Sequence, residues 1–260
     1  MKEFDGYVGV FDSGVGGISV LAEAMRALPH ESFAYFGDSA NAPYGEKSTE
    51  AVRARSEQIV DYLVSSGVKA VLIACNTATA AAAEHVRAAY PHLPIIGVEP
   101  ALKPAAVSPA SDRILVMATP MTLRLEKFHR LSSEWSDCAE VSTVACEGLA
   151  ARIERGNLDA PDLKELLERL VGPYRGRVSS VVLGCTHYPF IRRQISEVLG
   201  DVTLFDGGAG TARHLAHQLQ ERGIAAESTE PGLVELRTSS TRPGELDLYR
   251  RFLDAALAGC

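Results

Sequence analysis

Two cysteines stand in matching contexts. Val71-Leu-Ile-Ala-Cys75-Asn-Thr77 and Val181-Val-Leu-Gly-Cys185-Thr-His187 each run an apolar stretch into a small residue, a cysteine and then a helix-prone segment. A lone cysteine among apolar residues usually packs as a small hydrophobe. One that leaves a strand just before a helix is placed differently, because a helix N-terminus favours thiolate over thiol. Asn76 and Thr77 add donors beside Cys75, and Pro189 suits the first turn of the helix expected after Cys185. His187 follows Cys185 by two residues, and in an extended chain such neighbours share a face. Asp12, in Val10-Phe-Asp-Ser-Gly-Val-Gly-Gly17, has two readings. Either Asp12 or Ser13 caps the following helix, or Asp12 sets a carboxylate beside a cysteine or a substrate ammonium.

Two facing thiols suit proton transfer at a carbon from opposite sides. One thiolate removes the proton while the opposite thiol delivers another, inverting the centre. The negative charge that forms needs donors and exclusion of water. Ser13, Asn76, Thr77 and Thr186 are suitable donors to a substrate carboxylate. Other chemistries fit less well. The glycines after Asp12 miss the dinucleotide fingerprint, whose third glycine would fall at Ser19. Gly45-Glu-Lys47-Ser48 lacks the spaced glycines of a phosphate loop, and no lysine sits at either cysteine for a pyridoxal Schiff base. His214 and His217 read as surface residues of a polar helix, and no metal site is expected. The segment Asp38-Ser-Ala-Asn-Ala-Pro-Tyr-Gly45 reads as a turn-rich loop, either a connector or a carrier of binding groups.

The elements that must position these residues alternate almost end to end. Strand patterns over 7–11, 32–36, 69–74 and 95–98 interleave with helical ones over 16–28, 49–66 and 77–89. The pattern then resumes with strands over 112–117, 141–145, 178–183 and 202–205. Helices are expected over 119–131, 149–155, 162–170, 190–199 and 210–222, and the chain closes with a strand over 233–238 and a helix over 245–257. Such alternation predicts an α/β fold with mainly parallel sheets covered on both faces. The echo around the cysteines predicts two similar domains, related by a pseudo-twofold, with the active site in the cleft between them. Open α/β sheets bind ligands at the carboxyl ends of their strands. Crossings near 97–100 and 205–208 divide the chain into 1–98 plus 208–260, a discontinuous first domain, and 99–207, a second.

Composition agrees with a globular enzyme. The chain has 260 residues, 46% hydrophobic and 23% charged, with a formal net charge of −7. No basic stripe for nucleic acid appears. The apolar stretch 70–83 is broken by Asn76, Thr77 and Thr79, so no membrane span is expected. The N-terminus lacks the apolar core of a signal peptide, which makes the cytoplasm the expected compartment. Five cysteines without a CxxC argue against a disulfide framework or structural zinc.

The set of motifs resembles the cofactor-independent glutamate racemases. The matching segments are Phe11-Asp-Ser-Gly-Val-Gly-Gly17, Phe36-Gly-Asp-Ser-Ala-Asn-Ala-Pro-Tyr-Gly45, Ala74-Cys-Asn-Thr77, Gly97-Val-Glu-Pro100 and Gly184-Cys-Thr-His-Tyr-Pro189, in the family's order. The resemblance implies that Cys75 takes the α-proton from D-glutamate and Cys185 takes it from L-glutamate. Asp12 would assist Cys75, and His187, oriented by Glu154, would assist Cys185. Asp12-Ser13, Pro43-Tyr44-Gly45, Asn76-Thr77, Thr119, Thr122 and Thr186-His187 would hold the substrate. No cofactor or metal is implied. A homodimer is, and so is a role in supplying D-glutamate for peptidoglycan, cell-wall biogenesis and cell shape. Two stretches depart from the family pattern. Ala118, Leu125 and Phe128 replace its glycine, serine and tyrosine, and Glu147 replaces a proline after Cys146. These departures leave open another acidic amino acid, such as aspartate, as substrate. A Cys185–His187 thiol hydrolase and a non-catalytic amino-acid-binding protein are the readings from other classes.

Overall fold

The computed structural model describes residues 2–109, 111–135 and 138–259; Cys260 lies outside them. The first run of elements is β1 (Val8–Asp12), α1 (Ile18–Ala27), β2 (Phe33–Gly37), α2 (Thr49–Ser65), β3 (Ala70–Ile73), α3 (Asn76–Ala89) and β4 (Ile95–Gly97). The second is α4 (Leu102–Ala106), β5 (Arg113–Ala118), α5 (Pro120–Arg124), α6 (Glu126–Trp135), β6 (Glu140–Ala145), α7 (Leu149–Ile153), α8 (Pro161–Val171), β7 (Ser180–Leu183), α9 (Arg192–Leu199) and β8 (Thr203–Asp206). The chain ends in α10 (Gly208–Glu221), β9 (Val234–Thr238) and α11 (Glu245–Ala258).

Two parallel sheets result, ordered β4-β3-β1-β2-β9 and β6-β5-β7-β8. Reading β5 as β1, β6 as β2, β7 as β3 and β8 as β4 makes the two orders the same, with β9 added at one edge. The fold is α/β with two similar halves, as the cysteine echo predicts. Register makes the equivalence residue-specific. Phe11 pairs with Ile73 and Met117 with Leu183, so Cys75 and Cys185 leave equivalent strand ends.

The inner strands β1, β3 and β7 are buried on both faces, and strand residues divide between cores with period two. Val8, Val10, Leu72, Leu115, Met117 and Val181 share one core that runs through both halves. Phe11, Val71 and Ile73 face a second core under α2 and α3. Ile114, Val116 and Val182 face a third, with Leu102 and Phe128. Each such side chain contributes about 1.5–3 kcal/mol on burial, so the strand ends carry their cysteines on a stiff scaffold.

Three local expectations are corrected. The single helix over 119–131 is two helices, because Leu125 adopts an extended ψ of 139°. A short helix over Leu102–Ala106 was not legible in the pattern. After Cys185 the chain makes a turn and a 3-10 segment at Tyr188–Ile191 before α9 begins at Arg192. Cys185 therefore does not stand at an α-helix N-terminus, whereas Cys75 does. Among the described residues no helix is long and apolar enough to cross a membrane.

Candidate active site

The end of β1 supplies the first carboxylate. Asp12 is fully buried, and its Oδ1 accepts from the backbone N–H of Ser13 at 2.6 Å and the Ser13 hydroxyl at 3.2 Å. Oδ2 accepts from the Gly17 N–H. The capping reading is corrected: the N-cap of α1 is Gly17, with no side-chain cap hydrogen bond, and Asp12 instead ties down the turn that leads into the helix. Its Oδ2 also accepts from the Thr186 hydroxyl at 3.3 Å, across from the other half. Burial pushes the Asp12 carboxyl up, against the opposing pull of His187.

Cys75 is the N-cap of α3. The Ala78 N–H donates to its Sγ at 3.5 Å, and the Ser13 hydroxyl lies 4.0 Å from it. The helix terminus was expected to favour thiolate here. Burial and the charge of Asp12 outweigh it, and the Cys75 thiol is pushed well above its usual range. Cys75 is held as a thiol.

Cys185 has different company. Its Sγ lies 3.5 Å from Nδ1 of His187, whose Nε2 meets Glu154 Oε1 at 2.6 Å. His187 faces Cys185 through the helical bend of the turn (φ −75°, ψ −32°), not through the extended chain expected from the spacing. Burial alone would lower the imidazole, but Cys185 and Glu154 together raise it well above its ordinary value. Glu154 sits at the end of α7, and its Oε1 also accepts from the Val15 N–H at 2.9 Å. Each half therefore sends a carboxylate across to the other. Gly14 and Gly16 make this approach possible: a Cβ on Gly14 would overlap the Glu154 carboxylate, and one on Gly16 would overlap the His187 ring.

The remaining site residues also converge. Thr77, Thr119 and Thr122 form a buried hydroxyl triangle with edges of 3.0, 3.2 and 2.9 Å. Gly45 packs so close that a Cβ there would lie 2.6 Å from Thr119 Cβ. Asn76 is buried, and its Oδ1 has no hydrogen-bond partner among the described residues. The 38–45 loop is braced by its own hydrogen bonds and by Arg55. Buried Asp38 accepts from the Tyr44 hydroxyl at 2.6 Å, from Asn41 at 3.0 Å and from Arg55 at 2.7 and 2.9 Å. The Tyr44 hydroxyl is therefore committed to the loop. His214 and His217 are exposed and away from this cluster.

Sequence reasoning missed several groups. The backbone N–H of Val15 and Gly17, the Asp38–Arg55 pair, Cys146 and Tyr188 all support the site, and no spacing rule picks them out. Of the departures from the family pattern, Ala118 ends β5 at the position equivalent to Asp12. Glu147 is exposed, and Phe128 is packed in the third core.

The family model described as Asp/Glu/Hydantoin racemase matches residues 12–215. This chain belongs to that racemase family. It is 42% identical over 249 residues to a glutamate racemase of Clostridium perfringens, covering 95% of this chain and 96% of the relative. The structure matches Francisella tularensis glutamate racemase in complex with D-glutamate at a TM-score of 0.84, with 27% identity. The match covers 97% of this chain and 94% of that one. Escherichia coli glutamate racemase in complex with L-glutamate and the activator UDP-MurNAc-Ala matches at 0.83 and 28% identity, covering 95% of each chain. The chain is an isomerase, an amino-acid racemase.

Proposed function

We propose that the enzyme interconverts L- and D-glutamate with two thiols and no cofactor. The observation that carries this reading is the placement of Cys75 and Cys185 at equivalent strand ends, close enough that charge on Cys185 raises Cys75. Relatives bound to each enantiomer of glutamate favour that substrate.

In the L-to-D direction Cys185 acts as the base. The protonated His187, oriented by Glu154, stabilises its thiolate. Cys185 takes the α-proton from L-glutamate, and Cys75, held as a thiol, returns a proton to the opposite face. In the D-to-L direction the two exchange roles, with Asp12 assisting Cys75. Ser13, Asn76, Thr77, Thr119, Thr122 and Thr186, with the Pro43–Gly45 segment, bind the substrate. Both thiols and His187 are buried, so the carbanion-like charge forms away from bulk water.

The functional units of this reading are 1–98 plus 208–260 and 99–207, consistent with the membership of the two sheets. We further propose a cytoplasmic homodimer whose D-glutamate feeds peptidoglycan synthesis, and so cell-wall biogenesis and cell shape. The test follows the α-proton by NMR in D₂O, starting from each enantiomer, with optical rotation in parallel. Exchange with inversion in both directions is expected. Absence of exchange with glutamate, together with exchange in aspartate, would transfer the activity to that substrate. Covalent labelling of Cys185 by an ester, without any α-proton exchange, would replace the racemase reading with a hydrolase.

A further inference from the structure

The mechanism above leaves two buried groups unused. Tyr188 follows His187 directly, is fully buried, and its hydroxyl has no hydrogen-bond partner among the described residues. Cys146, just after β6, is also buried, and both share the continuous core with Cys185. The Tyr188 hydroxyl faces the sulfurs of Cys146 and Cys185. An orphaned buried hydroxyl is costly, and native structures that keep one need a reason.

The two halves supply that reason. At Cys75 the residue three positions on, Ala78, donates its backbone N–H to the sulfur because α3 begins there. At Cys185 the helix is delayed, and the residue three positions on, Tyr188, spends its N–H on the Cys185 carbonyl at 3.1 Å. The sulfur of Cys185 therefore loses the backbone donor that its counterpart enjoys. The same residue returns a donor through its side chain. Cys146 is already oriented: its thiol donates to the Val144 carbonyl, with Sγ 3.7 Å from the oxygen, which leaves its sulfur lone pairs as acceptors.

We propose that the Tyr188 hydroxyl donates a hydrogen bond to Cys185 when that sulfur is ionised and turns to the Cys146 sulfur when it is not. This rests on the two-thiol reading. Tyr188 keeps its proton throughout, since burial and the two neighbouring thiols push its phenol well above its usual range. Cys146 is pushed up to about 12, chiefly by burial, so it stays a thiol, donating to Val144 and offering its sulfur lone pairs to Tyr188. The other titratable groups around Cys185 are His187 on the same turn, Glu154 behind it, Cys75 across the cleft, and Asp12 reached through Thr186.

The test measures alkylation of Cys185 by iodoacetamide across pH, with the Cys185 peptide read by mass spectrometry. In Tyr188→Phe the midpoint should rise by about half to one pH unit, making alkylation near neutral pH about three- to tenfold slower. In Cys146→Ala the hydroxyl has no competing acceptor, so the midpoint should fall. Core loosening alone would not move the two variants in opposite directions. An unshifted midpoint in Tyr188→Phe, or shifts of the same sign in both variants, would overturn the proposal. Should Tyr188→Phe fail to fold, the Cys146→Ala arm decides alone: a lower midpoint supports the proposal and an unchanged or higher one refutes it. The readout does not use turnover, so it is separable from the two-thiol reading, which stands or falls on racemisation by Cys185→Ala.

Discussion

Cys75 and Cys185 occupy equivalent positions of one repeated scaffold, yet their surroundings differ. Cys75 faces a buried carboxylate at the neighbouring strand end, which keeps it protonated. The strand position equivalent to Asp12 in the second half is Ala118, so no carboxylate stands there. The second half brings its acid from α7, one step further back, as Glu154 behind His187. The difference suits the reaction. Racemisation needs one base and one acid at any moment, and two identical thiol environments would favour both thiols or both thiolates. Repetition of the scaffold provides equivalent positions, and the partners that surround them differ.

The largest test of this comparison removes either side. Cys75→Ala and Cys185→Ala should each lower racemisation by more than about a thousandfold, as loss of an acid or base from a two-group site does. Wild-type-like turnover in either variant would end the two-thiol account. Next, Gly16→Ala places a Cβ on the His187 ring, and the ring must move. Loss of about ten- to a hundredfold in kcat is expected, with Cys75 alkylation unaffected, because small misplacements at a reacting centre are costly. An unchanged kcat would show that the ring position is not critical.

Glu154→Gln tests the charge asymmetry through pH. His187 is raised in the folded protein, so its contribution to stability is full below the unfolded value near ~6.5 and is lost as pH rises through the folded value. Thermal melts of wild type should therefore lose stability relative to Glu154→Gln as pH climbs above that point. Parallel melting curves across pH would contradict the His187–Glu154 pairing. Smallest of all should be Glu147→Pro, which restores the family residue at an exposed position. Steady-state kinetics should change by less than about twofold, in line with substitutions away from special contacts. A switch in preference between glutamate and aspartate would instead place residue 147 in the specificity machinery.

Much of the fold was legible because strand and helix periods differ and the alternation is long. The continuous apolar runs at 71–74 and 181–183 announced buried parallel strands, and the cysteines after them announced the cleft. The break at Leu125 was not legible, because an apolar helical pattern continues through it. The turn after Cys185 was hidden for a related reason: Pro189 is as compatible with a 3-10 segment as with the first turn of an α-helix.

Residue types and spacing alone determined that two thiols, a carboxylate and a histidine would stand at strand ends of a parallel α/β chain. They determine this because backbone periodicity and burial are local properties that the sequence states directly. Only the tertiary structure decided the charge states. Cys75 was expected to gain thiolate character from its helix, and burial with Asp12 reversed that. Glu154 acquired its place only when α7 met the β1–α1 turn, and Tyr188 and Cys146 met Cys185 only in the shared core. Electrostatic interaction depends on distance and dielectric, and both are set by residues far apart in the chain.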